Sequence, residues 1–184
     1  MSDSTPPVPE FQEYRKIPRL RRGCVITEKI DGSNGQICFP EPDAPMLVGS
    51  RNRWITPEAD NFGFARWAYE HEAELRKLGP GRHFGEWFGA GIQRNYGMIE
   101  KRFALFDVLR WTAPDAVLPS CVSLVPLLYQ GDFTDTAVAA ALETLRTTGS
   151  KVLPFMNPEG IVVYHVASRT QFKVTLGDDG HKGT

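Results

Sequence analysis

Residues 25–35 read VITEKIDGSNG, and the interpretation of the whole chain depends on this stretch. Its first six residues are rich in β-branched side chains, which predicts a strand. The glycine, serine and asparagine residues at 32–35 favour a turn that ends the strand. Lys29 is therefore expected near the last position of a strand, directly before a turn of small residues.

Side chains alternate between the two faces of a strand. We therefore expect one face of the strand to carry Thr27, Lys29 and Asp31. The opposite face is expected to carry Ile26, Glu28 and Ile30. From the residues alone two interpretations stay open, a salt-bridged strand end before a hairpin or a site built around a reactive lysine. Residues 36–39 are expected to pair back as the partner strand of a hairpin.

The rest of the chain alternates further strands with two helices. Strands are predicted at residues 46–50, 82–88, 102–109, 122–129, 161–166 and 171–176. One helix is predicted to begin at the Thr56-Pro57-Glu58 signal and to end before Gly79, and a second is predicted at residues 134–148. This order indicates an α+β fold of mostly antiparallel sheets with flanking helices.

Length and composition are those of one globular domain. The chain has 184 residues, of which 41% are hydrophobic and 23% charged, and three cysteines without metal-ligand spacing. We expect a flexible, proline-rich tail at residues 1–10, the domain at residues 11–178 and a second flexible tail at residues 179–184. No apolar run approaches the about 20 residues of a membrane span, and no signal peptide is recognisable, so we expect a cytoplasmic protein without membrane contact.

The charge pattern leaves nucleic-acid binding open. The net charge of −1 lacks the basic excess that is common in proteins that bind nucleic acid. A local basic segment precedes the first strand and consists of Arg15, Lys16, Arg19, Arg21 and Arg22. Such a segment either contacts phosphates or is simply a solvated charged surface.

Five short motifs follow one another in the order found in the covalent nucleotidyltransferases. The stretch EKIDGSN at residues 28–34 resembles the nucleotidyl motif K-x-D-G, in which the lysine carries the nucleotide. It is followed by FGEWFG at 84–89, FALFDV at 103–108, EGIVV at 159–163 and FKVT at 172–175, which resemble motifs III, IIIa, IV and V. This superfamily contains ATP-dependent DNA ligases, RNA ligases and capping enzymes. Ser33-Asn34, together with GAGIQRNY at residues 89–96, is similar to the ATP-dependent RNA ligases of the phage type.

The resemblance implies a nucleotidyltransferase domain, similar to the ATP-grasp fold, with a nucleotide pocket between its sheets. It implies that Lys29 attacks the α-phosphorus of ATP to form lysyl-AMP. The AMP would then pass to a 5′-phosphate end, and a 3′-hydroxyl would displace it to join two strands. The implied partner is nucleic acid with these ends, preferably RNA.

The resemblance also implies the residues of the site. Those expected to contact ATP or AMP are Glu28, Ile30, Asn34, Arg51, Glu86, Phe106, Glu159 and Lys173. In the family, a glutamate at the position of Glu28 accepts from the adenine amino group, one at Glu86 contacts the ribose, and an aromatic ring at Phe106 stacks on the purine. Mg²⁺ or Mn²⁺ is expected to be held by Asp31, Glu86 and Glu159, directly or through water, because such ions prefer oxygen ligands.

The chain departs from the family in two places. Thr175 stands where motif V has a second lysine, and only eight residues follow Leu176, so we expect no carboxy-terminal OB or helical domain. A separate nucleic-acid-binding protein would then be a natural partner. Two alternatives remain at this point: a DNA ligase or an adenylyltransferase with another acceptor, and a non-catalytic nucleotide-binding module of the same fold.

Overall fold

The computed structural model describes residues 9–177, which form two β-sheets with four helices. The strands are β1 (Gly23–Lys29), β2 (Ser33–Phe39), β3 (Leu47–Ser50), β4 (Trp54–Ile55), β5 (Gly81–Gly89), β6 (Lys101–Leu105), β7 (Val122–Leu124), β8 (Leu127–Asp132), β9 (Gly160–His165) and β10 (Thr170–Thr175). The helices are α1 (Phe64–Glu70), α2 (Glu72–Leu75), α3 (Val108–Trp111) and α4 (Asp135–Thr148), and a 3₁₀ turn follows α2 at Arg76–Leu78. The predicted α+β class is confirmed.

The two sheets are mostly antiparallel. The smaller has the strand order β10-β9-β1-β8, and the larger has the order β4-β3-β2-β5-β6-β7. Every pairing is antiparallel except that of β6 with β7. The smaller sheet packs against α4, and the larger packs against α1 and α2. A third cluster, which includes Val25, Ile30, Phe88 and Val108, joins the two sheets at one end.

The predicted hairpin between β1 and β2 is wrong. β1 pairs with β8 and β9, whereas β2 pairs with β3 and β5 in the other sheet. The turn between them is pressed onto β5, where a Cβ on Gly32 would lie 2.5 Å from the carbonyl oxygen of Trp87. Glycine is thus required because the chain crosses here from one sheet to the other, and not because it reverses direction.

The first predicted helix begins later than expected. The chain forms turns before Gly63, and α1 starts at Phe64. Asp60, rather than Thr56, satisfies the first helical amides, since its Oδ1 accepts from the backbone N of Ala65 at 2.7 Å. The helix then breaks at His71, whose Nδ1 lies 2.8 Å from the carbonyl oxygen of Trp67. The helix predicted at residues 134–148 is confirmed as α4, with Thr134 capping Ala137.

Two predicted strands differ from the observed ones: one is shorter than predicted and the other is divided into two. The strand predicted at residues 102–109 ends at Leu105, because Asp107 caps the short helix α3 by accepting from the backbone N of Arg110. The strand predicted at residues 122–129 is two strands in different sheets, β7 and β8. Pro126 lies at the crossing, and its carbonyl oxygen accepts from the backbone N of Glu28 at 2.9 Å.

The chain outside the sheets is only partly described. The predicted tail at residues 179–184 and most of the tail at residues 1–10 lie outside the described residues. Residues 9–20 are exposed and carry no helix or strand. Within residues 9–177, none of the helices is long and apolar enough to cross a membrane.

Candidate active site

A cavity of about 1050 Å³ lies between the two sheets. Most of the residues predicted to contact a nucleotide line it, namely Glu28, Lys29, Ile30, Asn34, Arg51, Glu86, Phe106 and Lys173. These residues come from both sheets, so the cavity depends on the way the sheets face each other. The alternation predicted for β1 holds only in part: Thr27 and Lys29 line the cavity and Ile26 packs on the side of α4, but Glu28 and Ile30, expected on the face of Ile26, line the cavity as well.

The end of β1 places the lysine beside a carboxylate. Nζ of Lys29 lies 2.6 Å from Oε2 of Glu159, and the two side chains are 25% and 18% exposed. This contact follows from the register, since Lys29 is opposite Gly160, the residue after Glu159. Gly160 has φ of 154°, and a Cβ there would overlap the carbonyl oxygen of Val174. A glycine at this position therefore lets β9 and β10 close tightly beside the lysine.

The larger sheet contributes a second carboxylate. Asn34 and Glu86 are opposite each other on β2 and β5, and Nδ2 of Asn34 donates to Oε2 of Glu86 at 2.9 Å. Burial raises the pKa of Glu86 to about 7, against the attraction of Lys29 and a hydrogen bond from the backbone of Gly32, and with repulsion from Glu159 and Asp31. Glu86 is therefore poised to exchange a proton near neutral pH.

The turn after Lys29 is held by residues that the sequence did not single out. Nε of Arg94 donates to Oδ2 of Asp31 at 3.0 Å, and its Nη1 donates to Oδ1 and the carbonyl oxygen of Asn157 at 2.8 and 3.1 Å. The hydroxyl of buried Tyr96 accepts from the backbone N of Asp31 at 2.8 Å. Arg94 thus connects the turn after β1 to the segment before Glu159. Its only sequence signal is its place in the GIQRNY stretch.

The segment that carries Arg94 has an unusual backbone. Gln93, Asn95 and Tyr96 have φ of 43°, 62° and 55°. Such left-handed conformations are costly for residues other than glycine and persist where the surroundings hold them in place. Here the contacts of Arg94 and Tyr96 with Asp31 provide that support.

The expected metal triad does not form as a set of direct ligands. Within residues 9–177, no three histidine, cysteine or acidic side chains converge to hold a metal ion. The carboxylates of Asp31, Glu86 and Glu159 are engaged with Arg94, Asn34 and Lys29, respectively. Burial is the main cause of the raised pKa of Glu86, and repulsion from nearby Glu159 and Asp31 adds to it. Carboxylates grouped in this way suit a cation that keeps several of its waters.

Glu28 is buried below the cavity and holds a loop. It is 1% exposed, with Oε1 accepting from Oγ of Ser150 at 2.6 Å and Oε2 accepting from the backbone N of Lys151 at 2.7 Å. Burial raises the pKa of Glu28, and these two hydrogen bonds oppose the rise. The predicted contact with an adenine amino group would use a carboxylate that already fastens the segment leading to Glu159.

The remaining predicted residues lie on the cavity walls. Lys173 is opposite Val162 in the pairing of β9 with β10, and both line the cavity. Phe106 follows β6, with its backbone N donating to the carbonyl oxygen of Phe84 at 3.0 Å. Thr175, which replaces the second lysine of motif V, lies opposite Gly160, and its hydroxyl donates to the carbonyl oxygen of Gly177 at 3.4 Å.

Other side chains on the cavity wall were not predicted from the sequence. They include Gln36, Arg82, His83, Phe84, Arg110 and Gln171. His83 is buried, its Nε2 lies 2.9 Å from the carbonyl oxygen of Gly79, and burial lowers its pKa. Strand alternation would have placed Gln36 and Phe84 on the face of Asn34 and Glu86, had the pairing of β2 with β5 been known.

The raised pKa of Glu86 predicts a pH-dependent stability. Because the folded protein binds this proton more tightly than the unfolded chain, its contribution to the free energy of unfolding is present below pH 4.5 and is lost as the pH rises to about 7. The loss amounts to at most roughly 3 kcal/mol. Urea unfolding in EDTA should therefore show that the free energy of unfolding of wild type falls relative to that of Glu86→Gln as the pH rises between these values. Parallel pH profiles for the two proteins would contradict this, and exposed Glu143→Gln serves as the control.

Comparisons with known proteins agree with this geometry. A family model described as RNA ligase matches residues 22–175. None of the curated proteins matches the chain.

Solved structures share the fold. Three of them are mutants of Naegleria gruberi RNA ligase. One mutant, with ATP and Mn, has a TM-score of 0.61 and 20% sequence identity. A second, with AMP and Mn, has a TM-score of 0.57 and 21% identity, and a third, with ATP and Mn, has a TM-score of 0.57 and 22% identity. Each match covers 85% of this chain and 50% of the other, so the chain spans about half the length of those proteins.

Proposed function

This chain belongs to the RNA ligase family, and from this premise we propose that it is an ATP-dependent polynucleotide ligase that acts through a covalent lysyl-AMP intermediate. The observation that carries the proposal is the position of Lys29. Its amine lies at the end of β1, inside a cavity between two sheets, with Glu159 and the walls formed by Arg51 and Lys173 around it. The cavity has room for a nucleotide, and its residues match what each part of ATP requires.

The first step forms a bond between nitrogen and phosphorus. The neutral amine of Lys29 attacks the α-phosphorus, the bond to the bridging oxygen breaks, pyrophosphate leaves, and the amine loses a proton. Negative charge develops on the phosphate oxygens during this step, and fixed cations beside them stabilise it. Arg51 and Lys173 are the cations on the cavity wall assigned to this role.

Recognition of the nucleoside uses both sheets. Phe106 offers a ring on which a purine stacks. Glu86 is assigned to the ribose hydroxyls, with Asn34 orienting its carboxylate. Glu28 and Ile30 bound the cavity next to Lys29 and are assigned to the adenine. These assignments follow the motif positions and the cavity lining together.

A divalent cation fits the same site. Several of the Naegleria structures contain Mn together with ATP or AMP. In this chain Asp31, Glu86 and Glu159 would hold Mg²⁺ or Mn²⁺ largely through water, with phosphate oxygens completing the shell. The cation would neutralise phosphate charge and lower the barrier to attack.

The later steps use the nucleotide stored on the lysine. An oxygen of a 5′-phosphate end attacks the lysyl-AMP phosphorus, the bond to nitrogen breaks, the amine of Lys29 regains a proton, and a 5′-5′ pyrophosphate linkage forms. A 3′-hydroxyl then loses its proton and attacks the 5′-phosphate, the bond to the AMP oxygen breaks, AMP leaves, and a phosphodiester joins the strands. We infer nucleic acid with these ends as the partner, RNA as the preferred substrate and the cytoplasm as the place of the reaction. A separate nucleic-acid-binding protein remains a prediction.

Strand joining tests the proposal. The protein is incubated with ATP, Mg²⁺ or Mn²⁺, and nicked duplexes that carry RNA or DNA on either side of the break, and we expect sealed product with RNA at the nick. Sealing of DNA alone would instead favour a DNA ligase. If the protein takes up AMP but joins no polynucleotide, it is an adenylyltransferase with another acceptor. If GTP replaces ATP in the same assay, the base assignment of the pocket is wrong.

A further inference from the structure

A row of side chains crosses the larger sheet on the face that borders the cavity. In the strand pairings, Trp54 is opposite Gly49, Gly49 is opposite Gln36, and Gln36 is opposite Phe84. Phe106 continues the row, since its backbone N donates to the carbonyl oxygen of Phe84. Arg82 lies two residues before Phe84 on the same face of β5. We call Trp54, Gln36, Phe84 and Arg82 the aromatic row, and Phe106 is its neighbour on the side of the nucleotide.

The aromatic row exposes large rings that the fold leaves uncovered. Trp54 is 44% exposed and Phe84 is 51% exposed, although both lie in strands of a sheet whose other face is well packed. Exposed rings close to a polar cavity are costly to leave in water and are typical of surfaces that bind a partner. On the same sheet face, Asn34 and Glu86 occupy the neighbouring pair of positions.

The aromatic row is also held in a defined arrangement. Nη1 of Arg82 donates to Oε1 of Gln36 at 3.0 Å, and its guanidinium carbon lies 5.4 Å from the centre of the Trp54 ring. Gly49 makes room for this packing, because a Cβ there would lie 2.8 Å from Nε2 of Gln36 and 3.1 Å from the Trp54 ring. The row therefore presents planar groups and a positive charge together.

The cavity extends from the lysine to three members of the aromatic row, and Trp54 lies beside them through its contact with Arg82. Gln36, Phe84 and Arg82 line the same space as Lys29, and Arg51 lies directly after β3, between the lysine and Trp54 along the chain. The volume of about 1050 Å³ lies at the upper limit of the roughly 300–1,000 Å³ of ordinary small-molecule pockets. A cavity of this size is large for one small ligand.

We propose that the aromatic row binds the first nucleotides of the 5′-phosphate strand with their bases unpaired, at a nick as well as in a single strand, with a base stacked on Phe84 and the backbone near Arg82 and Arg51. This inference rests on the ligase function proposed above and adds the place where its second substrate lies. Stacking on aromatic rings and on guanidinium planes is the usual way in which proteins hold unpaired bases. It tolerates any base, which suits an enzyme that joins ends of varied sequence.

The test separates strand binding from reaction with ATP. A strand already carrying AMP on its 5′-phosphate is supplied without ATP, and joining to a 3′-hydroxyl strand is measured over a range of strand concentrations. For Phe84→Ala combined with Trp54→Ala we expect the KM for this strand to rise about tenfold or more, with a smaller change in kcat. Phe84→Tyr, made with Trp54 unchanged, keeps a ring at this position, and its KM for the strand should stay close to that of wild type.

A matched control uses an exposed ring away from the cavity. Phe172 is 54% exposed on β10, on the face opposite Lys173, and Phe172→Ala should leave the KM unchanged. Thermal unfolding of each variant verifies that it is folded. If the double variant joins the adenylated strand with the KM of wild type, the aromatic row does not bind it. If wild type takes up AMP but joins no strand at all, the ligase function fails and this inference fails with it.

Discussion

Lys29→Ala abolishes the labelling of this protein by ATP that carries a radioactive α-phosphate. The expected loss is complete, because the labelled bond forms between the α-phosphorus and the nitrogen that the substitution removes. Lys29 is the lysine at the end of β1, where its amine contacts Glu159 at the cavity. The measurement is protein-bound label that survives denaturation and is released by acid.

The control for this result is a lysine outside the cavity. Lys77 pairs with Glu74 on the surface, and Lys77→Ala should be labelled like wild type. An adduct of unchanged amount in Lys29→Ala would remove the lysyl-AMP mechanism. The absence of any adduct in wild type, with ATP and either metal ion, would favour the non-catalytic nucleotide-binding module.

Lys173→Ala slows the same labelling reaction by about 100-fold to 1,000-fold, the loss typical when one group that stabilises transition-state charge is removed. The effect should be large in this chain because Thr175 supplies no second positive charge from β10. Lys173→Arg should retain more activity than Lys173→Ala, because it keeps the charge while changing the shape of the group.

The comparison for Lys173 is another lysine of the carboxy-terminal half. Lys151 donates to the hydroxyl of Thr148 on the surface, and Lys151→Ala should be labelled at the wild-type rate after its folding has been verified. A rate for Lys173→Ala within a few-fold of wild type would assign the stabilisation of phosphate charge to Arg51 instead.

Much of the fold and site could be predicted because the informative signals are local. Alternation along β1 put Thr27 and Lys29 on one face, and the caps of α4 are adjacent to the residues they serve. Most of the motif residues line one cavity, and Glu159 reaches it through its contact with Lys29.

The wrong predictions concern which strand or segment a residue pairs with after a turn or helix signal. The turn at residues 31–32 is dense in turn residues, which indicates a change of direction but not that the next strand joins another sheet. Arg94 was missed because its partners, Asp31 and Asn157, are each 63 residues away. Nothing in the composition near Arg94 distinguishes it from a surface arginine, and only the folded chain brings the three residues together.

The strand order of the smaller sheet has a consequence for protein synthesis. β1 leaves the ribosome early in translation. More than 90 further residues are translated before its neighbours β8 and β9, and then β10 with Lys173, can join it. A nascent chain that ends within α4 would hold the lysine without Glu159 or Lys173 beside it. Prematurely terminated copies should accordingly be inert and should consume no ATP.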